Sequence, residues 1–322
     1  MKAPTGPPET PFAPSGTPRL AVDVGGGLTL KNPVLTASGT FGYGLEFEPF
    51  FDLSRLGGIV VKGLSPRPRA GNPPQRIVET PSGMLNAIGL QNIGVDAFLA
   101  ERLPQLARIN TAIVANLYGE SDDDYRSVAE SLAGAPGLAA VEINLSCPNT
   151  EKGGMIFGVD PSAVERITAL VRRHSTVPVW VKLTPNVTDV TVIARAAVAG
   201  GADAVSLVNT FTGMAIDVRT RRPVLHNVCG GLSGPAIRPL AVWLVHQVSR
   251  AVTVPVIGMG GIVCARDAVE FLLAGARAVQ IGTASFNDPA ASVKILAGLE
   301  AYMRDYGISD VNELVGRVEL PS

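Results

Sequence analysis

A cysteine, two lysines and several asparagines sit at or just beyond the ends of short apolar runs, where a buried strand would meet solvent. Cys147 lies in Glu142-Ile-Asn-Leu-Ser-Cys-Pro-Asn149, on a segment that continues through Lys152-Gly-Gly154. A thiol with a pKa of about 8.5 becomes a usable base near neutrality with modest tuning. Read alone, the same residue could equally be a small buried apolar side chain, which is what most free cysteines are. Cys229 and Cys264 have no comparable surroundings and read that way. Lys182 closes the run Val179-Trp-Val-Lys182. A lysine there can put positive charge beside a group that gains negative charge during reaction, or it can pair with a neighbouring carboxylate. Asn86, Asn144, Asn149 and Asn209 offer amides that both donate and accept, which suits a small flat ligand edged by C=O and N–H groups. The three histidines, His174, His226 and His246, have no metal-ligand spacing, so no metal site is expected. Arg67, Arg69 and Arg76 read as a solvated loop.

The elements that must position these groups are short. Eight runs rich in β-branched residues, at 33–37, 58–62, 112–116, 140–144, 178–182, 204–209, 255–258 and 278–282, are predicted strands. Helical stretches follow most of them. The one at 161–173 opens with an Asp160 cap and Pro161 at its first position; those at 189–199 and 266–274 stop at Gly200-Gly201 and Gly275. Eight alternating units predict an α/β fold, a closed (β/α)₈ barrel, with a doubly wound open sheet as the alternative. Barrel active sites are built from the loops at the strands' C-terminal ends. Ser38, Lys62, Asn116, Asn144, Lys182 and Asn209 all fall there. So do two long inserts, 63–92 and 210–235, which are candidate lids. Gly258-Met-Gly-Gly-Ile262 and Gly282-Thr283 follow the last two strands, where barrels bind phosphate. Residues 19–32 are expected to form a small hairpin closing the barrel's bottom.

Bulk properties narrow the function classes. The 322 residues carry a net charge of −1, which gives no basic face for nucleic acid. Mean hydropathy is +0.27, yet no run of 18 apolar residues exists; the surplus fits strands buried on both faces. Three cysteines cannot supply the usual four thiolates of an iron–sulfur cluster and argue against a disulfide framework. Residues 1–18, rich in Pro, Gly and Thr, read as a disordered extension with no apolar signal core, and 19–322 as one domain. Cytoplasm is the expected compartment.

Nine ordered segments between about residues 19 and 318 resemble the class 1 dihydroorotate dehydrogenases. They are Thr36-Ala-Ser-Gly-Thr-Phe-Gly-Tyr-Gly44, Val61-Lys-Gly63, Asn86-Ala-Ile-Gly-Leu-Gln-Asn92, Asn144-Leu-Ser-Cys-Pro-Asn149, Val181-Lys-Leu-Thr-Pro185, Val208-Asn-Thr210, Gly230-Gly-Leu-Ser-Gly-Pro235, Gly258-Met-Gly-Gly261 and Ile281-Gly-Thr283. The run Ser146-Cys-Pro-Asn-Thr-Glu-Lys-Gly-Gly154 and the stretch 81–92 look like the NAD-linked branch, class 1B. The resemblance implies an enzyme that oxidises (S)-dihydroorotate to orotate in pyrimidine biosynthesis, passing hydride to FMN. It implies that Ser38, Lys62, Gly63, Asn116, Asn144, Lys182, Val208, Gly234, Gly260, Gly261, Gly282 and Thr283 hold FMN. Lys62, Asn86, Ala87, Ile88, Gly89, Leu90, Asn144, Asn149, Asn209 and Thr210 would hold the substrate, and Cys147 would be the catalytic base. It further implies a homodimer of this chain that joins a partner subunit carrying FAD and an iron–sulfur cluster into a heterotetramer, with NAD⁺ as final acceptor. The alternatives are the fumarate-dependent branch, class 1A, or another FMN-dependent barrel oxidoreductase. The Pro-rich extension departs from the pattern.

Overall fold

A computed structural model of the chain describes residues 17–145 and 157–321. Eight parallel strands close into a barrel: β1 (Val34–Thr36), β2 (Gly58–Val60), β3 (Ala112–Leu117), β4 (Leu138–Asn144), β5 (Val179–Lys182), β6 (Ala204–Leu207), β7 (Val256–Met259) and β8 (Ala278–Ile281). Each pairs with its neighbours in chain order, and β8 returns to β1 through Val279↔Val34 and Ile281↔Thr36. All eight predicted runs are strands of this barrel, so the open-sheet alternative falls. Both faces of every strand are covered, which is why their residues read as continuous apolar runs rather than alternating ones.

The outer helices form where the caps and stops lie. The Asp160 side chain accepts from the Ser162 backbone N–H at 2.9 Å and starts Pro161–His174; Asp189 does the same for Val190–Ala199 through Thr191 at 2.8 Å. Ala163, Val164, Ile167 and Val171 place an apolar stripe at helical spacing against the barrel. The first unit departs from the pattern: two 3₁₀ turns, Leu45–Phe47 and Leu53–Arg55, stand where a helix would be. Gly42 and Gly44 at positive φ bend this segment tightly over the barrel, and Phe41 stacks on Phe47 beneath it.

Val22–Asp23 and Thr29–Leu30 make the expected hairpin. Its turn lies against the barrel's lower rim so closely that a Cβ on Gly25 would come 2.0 Å from the Asp203 carbonyl oxygen, at the entry to β6. Arg19 is anchored by its backbone N–H to the Ser309 carbonyl. Residues 1–16, most of the proposed extension, lie outside the described residues. Among the described residues no helix is long and apolar enough to cross a membrane.

The two long inserts pair with each other. Ile77–Thr80 and Gly83–Asn86 from the first join Gly230–Ser233 and Phe211–Gly213 from the second in one four-stranded antiparallel sheet. At the base of the first insert Asn92 Nδ2 donates to Ser65 Oγ at 2.8 Å, and Asn92 Oδ1 accepts from the Gly94 N–H at 2.8 Å. The lids are thus a folded cap tied to the barrel.

Candidate functional site

Between the C-terminal rim of the barrel and this cap lies a cavity of about 380 Å³, within the range of roughly 300–1,000 Å³ usual for ligand pockets. Its walls collect residues from seven of the eight strand ends: Ser38 after β1, Lys62 and Gly63 after β2, Asn144 on β4, Lys182 on β5, Val208 and Asn209 after β6, Gly260 and Gly261 after β7, Gly282 and Thr283 after β8. The cap adds Asn86, Ile88, Gly89, Leu90, Thr210 and Gly234.

Two of the expected residues stand back from it. Asn116 is fully buried in the barrel beneath Gly63, and Ala87 is fully buried, its backbone N–H donating to the Arg76 carbonyl at 2.8 Å and its carbonyl accepting from Asn72 Nδ2 at 2.9 Å. Ala87 therefore holds the shape of the loop rather than facing a ligand. Cys147 and Asn149 lie outside the described residues.

Three readings need correction. Arg76 is not on a solvated loop: it enters the cap just before Ile77–Thr80, its guanidinium donates to Gln91 Oε1 at 2.6 Å, and it lines the cavity. Cys264 is exposed rather than a buried apolar filler, because it occupies the N-cap of Ala265–Ala274, where its backbone N–H donates to Asp267 Oδ2 at 3.1 Å. Cys229 is only half-buried, in the second insert.

The charge in the cavity comes from lysine. Burial holds the Lys62 ammonium below its usual pKa, and the Arg76 charge lowers it further. Burial also lowers Lys182, against the opposing pull of Glu142. Both therefore gain from an anionic or electron-rich ligand.

At the far end of the cavity the backbone itself makes a cradle. Gly234, Gly260 and Gly261 have φ of +93°, +127° and +77°, and a Cβ on Gly261 would sit 2.7 Å from the Gly234 carbonyl oxygen. Only glycine allows the loops after β6 and β7 to meet there, the kind of close backbone approach that anion-binding loops use. Asp267, buried, fixes the second loop by accepting from the Val263 N–H at 2.9 Å as well as from Cys264, and it is paired in turn with Arg238. Thr283 Oγ1 donates to Ser233 Oγ at 2.8 Å, which ties the cap to the loop after β8.

A flavin mononucleotide fits these residues. The glycine cradle suits its phosphate, and Lys182 suits the electron-rich ring. Two buried acceptors, Asn116 Oδ1 and Gln280 Oε1, have no partner among the described residues and would otherwise carry an uncompensated burial cost.

Residues 86–92 pack without slack against the start of the same insert. Gly89 has φ +73°, and a Cβ there would lie 2.7 Å from the Asn72 backbone nitrogen. Gly89→Ala is expected to cost about 1–3 kcal/mol in stability, through both strain and displacement of the loop. Denaturant titration would read it, and an unchanged midpoint would contradict the constraint.

Comparison with known proteins agrees with this geometry. A family model described as dihydroorotate dehydrogenase matches residues 19–303. The chain belongs to the dihydroorotate dehydrogenase family. Curated relatives include the "Dihydroorotate dehydrogenase B (NAD(+)), catalytic subunit" of Geotalea daltonii, 56% identical over 94% of this chain and 99% of that protein. The proteins of the same name from Geotalea uraniireducens (57% identical, 94% and 98% covered) and Desulforudis audaxviator (55%, 90% and 94%) are similarly related.

The residues missed by sequence reasoning include Thr40, Met84, Gln91, Ser233, Met259, Gln280 and Phe286 on the walls, and Glu142 beneath them. Glu142 had a legible signal. It precedes Asn144 by two on β4, so in a strand it shares the face of the asparagine.

Proposed function

We propose that this chain is the catalytic subunit of an NAD-linked dihydroorotate dehydrogenase, oxidising (S)-dihydroorotate to orotate in pyrimidine biosynthesis. The observation that carries this reading is the capped cavity where buried Lys182, half-buried Lys62, three asparagines and a glycine cradle converge, in a chain more than half identical to enzymes of that name. Ser38, Lys62, Gly63, Asn144, Lys182, Val208, Gly234, Gly260, Gly261, Gly282 and Thr283 hold FMN, with Asn116 reaching it from below Gly63. When bound, FMN supplies the hydride acceptor.

The chain's own groups do the rest. Lys62 neutralises the substrate carboxylate. Asn86, Asn144, Asn149 and Asn209, with Thr210 and the backbone of 88–90, read the ring's carbonyl and N–H groups and fix its plane. The folded cap keeps bulk water off that plane. Cys147 removes the proton from C5, and Lys182 places positive charge beside the group that gains electrons. In this reading the chain forms a homodimer that joins a second subunit carrying FAD and an iron–sulfur cluster, which delivers the electrons to NAD⁺. The compartment is the cytoplasm.

The deciding experiment adds dihydroorotate anaerobically to the purified yellow protein, then NAD⁺ with and without the partner, then fumarate. Bleaching by dihydroorotate, with reoxidation by NAD⁺ only when the partner is present, is expected. A colourless protein that takes up no FMN, or no bleaching, overturns the activity, and rapid fumarate reduction overturns the NAD-linked branch.

Lys62 also gives a pH signature. Its pKa is lowered in the free site, and a bound carboxylate raises it again. Between the two values orotate binding takes up a proton, so the dissociation constant for orotate rises with pH through the free-site value. That rise begins below the pH at which an exposed lysine would titrate. Calorimetry of the FMN-loaded protein in two buffers should show the uptake, and Lys62→Met should abolish it while leaving the ligand's own ionisation in place.

A further inference from the structure

We propose that Glu142 is a positioning residue for the flavin, a single buried carboxylate that turns the oxygens of Asn116 and Gln280 outward as hydrogen-bond acceptors for the ring. The proposal rests on the FMN reading above and extends it to a residue that touches no ligand.

Glu142 is fully buried at the centre of the barrel on β4. Its Oε1 accepts from Asn116 Nδ2 of β3 at 2.8 Å. Its Oε2 accepts from Ser206 Oγ of β6 at 2.7 Å and from Gln280 Nε2 of β8 at 2.7 Å. Lys182 of β5 interacts with the same carboxylate electrostatically. A carboxylate accepts and does not donate, so each amide must show it the nitrogen and face the oxygen away.

The consequence is visible on the other side of both amides. Asn116 Oδ1 and Gln280 Oε1 are the two buried side-chain amide oxygens left without a hydrogen-bond partner among the described residues. Gln280 lines the cavity. Asn116 lies behind its wall, but its Oδ1 would be only 2.9 Å from a Cβ on Gly63, which does line it, so the missing side chain at Gly63 keeps the wall thin over this oxygen. A flavin ring carries an N–H on its pyrimidine edge and gains another on reduction. Outward oxygens match those donors, whereas outward amide nitrogens would oppose them. Ser206, also fully buried, donates to Glu142 but does not line the cavity, so it shares the network without sharing the function.

The test titrates FMN into flavin-free protein and follows thermal unfolding of the same flavin-free samples. Glutamine at 142 brings its own amide nitrogen, so three donors can no longer all be accepted and at least one facing amide must reverse. Glu142→Gln is expected to raise the FMN dissociation constant at least tenfold without a matching fall in melting temperature. Ser206→Ala is expected to leave FMN affinity within about twofold. Gln280→Met, which keeps the shape and deletes the outward oxygen, is expected to weaken FMN about fivefold and provides an independent arm if the Glu142 variant does not fold. Unchanged affinity in Glu142→Gln, unchanged affinity in Gln280→Met, or equal loss in Ser206→Ala overturns the proposal. Failure of the unsubstituted protein to bind FMN overturns the functional reading instead.

Discussion

Replacing Cys147 by alanine should leave a yellow protein that turns over at about 10²–10⁴-fold below the unsubstituted rate, the range a positioned general base contributes. The two halves of that expectation come from different parts of the molecule. In the proposed reading FMN is held by strand ends and glycine loops on β1, β2 and β4–β8, with Asn116 of β3 below them, and residue 147 is not one of its holders. The proton on C5 of dihydroorotate has no other assigned acceptor: the two cavity lysines act as cations, and the amides of Asn86, Asn144 and Asn209 are not bases at neutral pH. Steady-state assays, with flavin content from the visible spectrum, separate binding from chemistry. Full turnover with full flavin content would remove Cys147 from the mechanism. Cys147→Ser sharpens the point. A hydroxyl surrenders its proton far less readily than a thiol, so the activity limb should move to higher pH while the substrate's KM changes little.

Architecture was legible because a buried parallel strand leaves an unambiguous mark. Runs such as Gly58–Val60 and Val256–Met259 are apolar throughout, since both faces are covered, and each ends where polar residues begin. Helix starts were equally plain where a side-chain cap did the work, as at Asp160 and Asp189. The first unit departs from the alternation because local turn geometry at Gly42 and Gly44, with Phe41 stacked on Phe47, gives 3₁₀ turns in place of a helix. Most of the cavity wall was also legible, because a residue just past a barrel strand has little choice but to face the rim. The cap was not. Met84 opposite Ser233 and Leu85 opposite Leu232 pair across more than a hundred residues, and nothing local in either insert specifies the other. Arg76 was misjudged for that reason: its loop looks solvated until the second insert supplies the missing strand. Glu142 went unremarked because one charged residue in an apolar run looks like an interruption; its meaning depends on Asn116, Ser206 and Gln280 arriving from three other strands.

Lys182→Met is expected to keep FMN and slow its reduction by dihydroorotate by about 10²–10³-fold, the loss typical when one preorganised charge or donor is removed from a developing negative charge. Lys182 is almost wholly buried at the end of β5 and lines the cavity. Burial disfavours its charged form and Glu142 offsets only part of that, so the barrel pays for one desolvated cation at a single place. That arrangement is costly for a merely structural lysine, because an apolar side chain of similar length would fill the same space without the penalty. It is useful if electron density arrives beside it: the cation is already oriented and already stripped of water, so it gains interaction as the flavin is reduced without reorganising. Methionine matches the length and removes only the charge. Anaerobic stopped-flow absorbance gives the reduction rate directly, and the midpoint potential of the bound flavin should fall in the same variant. Glu142 then faces no buried ammonium, so a change in melting temperature accompanies the substitution but does not decide the question. The discriminating result is kinetic: a reduction rate and a potential both equal to those of the unsubstituted protein would leave Lys182 as the counter-ion of Glu142 and nothing more.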